Sequence, residues 1–176
     1  LLIILVILSG FLSGSETAIT ATSKARILYK KKKGSKRAGY VLELLDKKDN
    51  VISTLLLSNN LVNILASSLA TAFFYDIFGV EGIFYATLIM TVVIVIFAEV
   101  LPKTYAINRP NRTALLISPI IYYLNKILFI FVFVINFIVR LIFRKNENDI
   151  LNKDLQSEEE LKGVIDLYKT SNPDYE

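Results

Sequence analysis

The hydrophobic positions of this chain fall into long blocks separated by short polar punctuation. The first block opens at residues 1–8, is interrupted by Ser9, Ser13 and Ser15, and resumes its apolar helical pattern to Leu28. A second covers residues 51–74 and a third residues 83–107. A membrane-spanning helix needs roughly 20 apolar residues. The pattern therefore predicts three spans, at about residues 1–25, 51–74 and 83–107. Val41, Leu42, Leu44 and Leu45 give residues 38–48 a short amphipathic pattern, suited to the membrane surface.

A fourth apolar region, residues 114–143, is long enough to span. Ser118-Pro119 interrupts its start, Lys126 divides it, and Arg140 and Arg144 mark its end. Spanning would carry both arginines across, so boundary or re-entrant helices are expected there. Residues 1–144 then form the membrane domain. Residues 145–176 are polar and read as the start of a cytoplasmic linker. Ser157-Glu158-Glu159-Glu160, followed by Leu161, Val164, Ile165 and Tyr168, resembles a capped amphipathic helix whose apolar face needs a partner. The last residues, Asn172-Pro173-Asp174-Tyr175-Glu176, read as a cut inside a longer protein. The expected fold class is an all-α integral membrane protein with three transmembrane helices and juxtamembrane boundary helices.

Charge orients these elements. Lys24, Arg26, residues 30–33, Lys36 and Arg37 follow the first span. Under the positive-inside rule this cluster is cytoplasmic, and the N-terminus lies outside. Asp76 and Glu81 border the next loop, which has no Lys or Arg and suits the outside. Arg109 and Arg112 then return the chain to the cytoplasm, where the C-terminus is also expected. A multi-pass protein of the cell membrane follows.

Composition narrows the chemistry. The chain has 176 residues, 53% of them hydrophobic, a formal net charge of +4, and neither Cys nor His. Its mean hydropathy is +0.50. Without these two residue types it lacks thiolate ligands and the usual general base. A metal here must be bound by oxygen, which selects hard cations. Only Ser13 with Glu16 hints at a nucleophile and base, so no enzyme is expected. The basic residues border apolar segments, and no nucleic-acid recognition module is present.

Polar groups inside spans are costly and therefore candidates for function. Ser9 and Ser13 share one face of the first span, and Asn59 and Asn63 one face of the second. Glu99 is the acid of the third. At about 1.5 Å per residue, Ser13 stands about 16 Å from Lys24, Asn59 and Asn63 about 13 to 20 Å from Asn50, and Glu99 about 15 Å from Arg109. The three helices thus bring oxygens to one depth. Pro102 has no N–H for the carbonyl four residues earlier, so Ala98 is expected to offer a free backbone oxygen. Two hydroxyls, two amides, a carboxylate and a carbonyl suit an octahedral hard cation.

Each group also has an ordinary role. Serines pack at small-residue interfaces or bond their own backbone, and asparagines join helices. Glu99 can bond a neighbour, and Pro102 can simply kink its helix. Glu16 is a structural residue or a gate, with Lys24, Arg26 or Lys103 as partner. The run 30–33 anchors the chain at lipid headgroups. The convergence at one depth favours the cation reading over these separate ones.

Three stretches resemble the membrane domain of the cyclin-M/CorC family of magnesium transporters. They are Leu8-Ser9-Gly10-Phe11-Leu12-Ser13-Gly14-Ser15-Glu16-Thr17-Ala18, Leu55-Leu56-Leu57-Ser58-Asn59-Asn60-Leu61-Val62-Asn63 and Ala98-Glu99-Val100-Leu101-Pro102-Lys103. The resemblance implies three spans with a belt of boundary helices and a homodimer in the lipid bilayer. It also implies a following pair of nucleotide-binding CBS modules. Its implied activity is Mg2+ export coupled to Na+ entry. The implied ligands are Ser9, Ser13, Asn63, the Ala98 carbonyl and Glu99, with Asn59 as a further candidate. The family often has Gly where this chain has Ala98, which narrows the approach to that carbonyl. The rival expectation is a membrane anchor that senses Mg2+ for cytoplasmic domains without moving it.

Overall fold

The computed structural model describes residues 1–128 together with 131, 133 and 134. The expected linker at 145–176, Arg140, Arg144 and the far part of the 114–143 region lie outside the described residues. All the regular structure among the described residues is helical.

Helix α1 spans Leu2–Ala21. At 1.5 Å per residue it is about 30 Å long, the thickness of a bilayer core. It ends earlier than the hydrophobic pattern implied. Thr22 and Ser23 are extended, and the Thr22 hydroxyl donates to the Ala18 carbonyl at 2.6 Å, serving an acceptor in the last turn. Helix α2, Lys24–Lys32, starts afresh after this break and carries the lysine run. Helix α3, Lys36–Asp46, buries Ala38, Val41, Leu42 and Leu44 on one face, as its amphipathic pattern requires. Lys24 of α2 bonds Asp46 of α3 at 2.7 Å, rather than Glu16.

Helix α4 is a continuous Lys48–Phe78. Its turn into the next helix uses Gly79 at φ 64°. A Cβ at Gly82 would collide with the Phe74 carbonyl, so both positions suit glycine. The third span, Glu81–Asn108, is composite. Helix α5, Glu81–Val93, passes into a π-helical segment, Ile94–Val100, and then into α6, Leu101–Asn108. Three helices are therefore long and apolar enough to cross a membrane: Leu2–Ala21, Lys48–Phe78 and Glu81–Asn108.

Helix α7, Pro110–Ile127, is the described part of the fourth apolar region. It packs mainly on α3 and α1, with a smaller contact to α4. Pro119 lies inside it and cannot donate to the Leu115 carbonyl. The Ser118 hydroxyl stands 3.3 Å from that carbonyl and 3.3 Å from the Arg37 carbonyl of α3. The proline's local cost thus becomes a docking contact.

Two apolar clusters hold the bundle. One joins Leu12, Ile19, Val41, Leu44, Leu55, Ile117 and Ile121, where α3 and α7 pack around α1 and α4. The other joins Ala66, Ala70 and Met90, with Leu2, Leu5, Val6 and Ile94 against them. Ser9, Asn59 and Asn63 fall between these clusters along their helices. Outward, α4 and α5 expose Leu61, Ile64, Phe84 and Leu88, a surface that hydrocarbon would cover.

Candidate cation site

The polar layer between the clusters is centred on Ser9. Its hydroxyl lies 2.7 Å from Asn59 Oδ1 and 2.6 Å from Asn63 Oδ1. Asn59 and Asn63 are one turn apart on α4, so both amides reach the same point on α1. A hydroxyl has one proton and can donate to only one of these oxygens. The other close oxygen pair needs relief. A rotated amide would supply it by turning its NH2 to the hydroxyl, and a cation shared by the oxygens would also supply it.

Ser13 lies one turn further along α1. It is fully buried, and its hydroxyl has no hydrogen-bond partner among the described residues. A serine in a helix ordinarily bonds the carbonyl four residues back, as Ser15 does to Phe11 at 2.6 Å. Ser13 does not, and a buried unpaired hydroxyl costs about 1–3 kcal/mol. No Ser13–Glu16 bond forms either, and half-buried Glu16 has no side-chain partner among the described residues.

The opposite wall comes from the third span. Gly10 and Gly14 of α1 face it at close range. A Cβ on Gly10 would stand 3.1 Å from the Phe97 carbonyl oxygen, 3.2 Å from Pro102 Cγ and 3.6 Å from Ala98 Cα. A Cβ on Gly14 would meet Pro102 at 3.3 Å. The two glycines form a small-residue contact of the kind that lets membrane helices approach closely. The sequence reading missed this pair, although Gly10-Phe11-Leu12-Ser13-Gly14 displays the spacing.

The π segment changes which carbonyls are free. The Leu101 N–H bonds the Ile96 carbonyl, five residues back. In that register the next acceptor is Phe97, and its donor would be Pro102, which has no N–H. Ala98 loses its ordinary donor for the same reason. The α-helical reading singled out Ala98 alone, whereas the register brings Phe97 in beside it. Ala98 is fully buried, and Glu99 next to it is half-buried, its side chain making no hydrogen bond or ion pair among the described residues. The structure thus joins Ser9, Asn59 and Asn63 directly. It places Ser13 one turn away and Ala98 against Gly10, and gives Glu99 no bonded contact with the serines or asparagines. Among the described residues no three acidic side chains cluster.

The polar line continues along α4. Ser67 and Thr71 follow Asn63 at four-residue steps and line a groove of about 530 Å³ with Ser68, Tyr75, Asp76 and Ile83. This groove lies at the end of the bundle away from the lysines.

Three apolar spans around a buried layer of oxygens define a multi-pass helical membrane protein. The chain belongs to the Cyclin M transmembrane N-terminal domain family, whose pattern it matches over residues 1–174. It is 38% identical over 160 residues to the UPF0053 inner membrane protein YfjD of Escherichia coli, covering 90% of this chain and 37% of that one. A UPF0053 protein of Haemophilus influenzae is 34% identical over 171 residues, covering 94% and 40%. A chloroplastic DUF21 domain-containing protein of Arabidopsis thaliana is 32% identical over 131 residues, covering 73% and 20%. The chain therefore spans about two fifths of the length of the two bacterial relatives.

Proposed function

We propose that this module exports Mg2+ from the cytoplasm, coupled to Na+ entry, by alternating access around the polar layer. The observation that carries the proposal is the trio of Ser9, Asn59 and Asn63 oxygens beside the buried, unpartnered Ser13 hydroxyl. Oxygens held this closely need either a turned amide or a shared positive charge, and a cation would serve the Ser13 hydroxyl as well. Glu99 supplies the negative charge, and the Ala98 carbonyl with the hydroxyls and amides replaces water lost from the ion. Mg2+ normally keeps several waters, so a donor set this rich offsets its reluctance to dehydrate.

The basic end around α2 faces the cytoplasm in this reading, and Leu1 faces outward. The Ser67–Thr71 groove then gives the ion an outward route, with Asp76 at its mouth. Membership of the family supports Mg2+ as cargo and a homodimer as the assembly. The greater length of the relatives leaves room for regulatory domains, for which CBS modules are the family expectation.

The test is Mg2+ flux into liposomes holding the purified chain, with and without a Na+ gradient, beside Glu99→Gln. Sodium-dependent flux that disappears in the variant supports the proposal. Intact Mg2+ binding without flux, in this chain and in the full-length protein, would replace it with an ion sensor.

A further inference from the structure

The basic end of the bundle holds a second cavity, remote from the trio at Ser9. It measures about 530 Å³ and lies between α3, α4 and α7. Leu44 and the Tyr122 side chain give it apolar wall, and Tyr122 is held by ring contact with Tyr40 at 5.1 Å. The polar wall comes from Lys47, Lys126, Glu43, Asn50 and Asn125.

These groups are mostly donors. Lys47 and Lys126 are exposed and take part in no ion pair; the pair found among the described residues is Lys24–Asp46. The single proton of the Thr54 hydroxyl lies between the Asn50 carbonyl at 2.9 Å and the Asn125 amide at 2.7 Å, and whichever way that amide is turned at least one of its N–H groups is left as a donor. Two lysines against Glu43 leave a net charge of about one positive unit, so the cavity disfavours a cation. It matches the single negative charge of a phosphodiester. Its position supplies the rest of the argument. The cavity sits where α4 begins at Lys48, beside the amphipathic helices α3 and α7. Basic pockets between helices at this depth suit anionic headgroups, and the apolar wall suits the glycerol and upper acyl chain.

We infer that the cavity between α3, α4 and α7 binds the phosphodiester headgroup of an anionic phospholipid. Lys47 and Lys126 supply the charge, and Asn125 and the Tyr122 hydroxyl supply hydrogen bonds. The lipid would fasten α7 to α4, which carries Asn59 five residues beyond Thr54.

Native mass spectrometry of the full chain with short-chain phosphatidylglycerol tests this. Each lysine near a membrane surface is worth roughly 1 kcal/mol, so Lys47→Gln with Lys126→Gln should weaken binding roughly thirtyfold. Lys47→Arg with Lys126→Arg should retain it. Glu43→Gln should tighten it, a gain that misfolding does not produce. Lys30→Gln with Lys31→Gln, in the exposed run on α2, should leave it unchanged. Full binding by the Lys47 and Lys126 glutamine variant, or an equal loss in the Lys30 and Lys31 variant, would overturn the site. Equal binding of free glycerol phosphate with the same lysine dependence would overturn its assignment to lipid.

Discussion

Gly10 of α1 faces the carbonyl oxygen of Phe97, with 3.1 Å between that oxygen and the point a Cβ on Gly10 would occupy. This contact joins two features that look unrelated in the sequence. One is the glycine pair between the serines of the first span. The other is Pro102, whose missing N–H leaves the Phe97 carbonyl without its donor in the π register. Wherever π turns interrupt an α-helix they tend to mark functional positions. Here the π turn aims unpaired backbone at the helix carrying Ser9 and Ser13.

Gly10→Ala should therefore destabilise the bundle by about 1–3 kcal/mol, since its neighbours are backbone and a proline ring that must shift. Gly39→Ala is the control. A Cβ there meets nothing within 4 Å, and Gly39 is inside α3. It should stabilise by roughly 0.5–1 kcal/mol, the helix preference of alanine. Thermal unfolding in detergent separates the two, and equal shifts would refute the close contact.

Pro102→Ala restores one N–H, which reaches the Phe97 carbonyl in π register or the Ala98 carbonyl in α register. The third span should become more regular and no less stable, while Mg2+ affinity falls as a backbone oxygen is taken up. Unfolding and Mg2+ titration on the same sample check both parts. A less stable protein with unchanged Mg2+ affinity would make the proline structural only.

Thr54→Val removes the bond to Asn125 that ties α4 to α7. The loss should cost about 1 kcal/mol, as for an ordinary hydrogen bond. It should also be local. Hydrogen exchange in Pro110–Ile127 should quicken while Leu2–Ala21 stays protected.

Much of the architecture was legible because membrane spans are written in long apolar blocks. Residues 51–74 and 83–107 lie inside the observed Lys48–Phe78 and Glu81–Asn108 helices. The amphipathic stretch 38–48 became α3, Lys36–Asp46. The break after Ala21 was not legible, since the apolar pattern runs on to Leu28 while Thr22 and Ser23 turn the chain. Glu16 was expected to pair with Lys24, Arg26 or Lys103. Lys24 instead reaches Asp46, a contact set by how α2 folds back on α3. The depth estimate was made for Ser13, Asn59, Asn63 and Glu99; the hydrogen bonds instead join Ser9 to Asn59 and Asn63, with Ser13 one turn away and Glu99 not bonded to them. The Phe97 carbonyl escaped because the reading assumed α-helical register, and nothing in Ile94–Val100 announces a π turn by composition.

The central claim is that the polar layer exists to hold an ion, and Ser13 tests it most directly. Its buried hydroxyl bonds nothing among the described residues, so removing it should not harm the fold without ion. The measurement is thermal unfolding of the wild type and Ser13→Ala, with and without Mg2+, alongside Mg2+ titration calorimetry. The expected result is an unchanged or raised Tm in the absence of Mg2+, with a smaller Mg2+-induced rise and an affinity at least about tenfold weaker, the loss of roughly 1.4 kcal/mol. An unchanged affinity and an unchanged Mg2+-induced rise would contradict a ligand role for Ser13 and leave the layer as packing between helices.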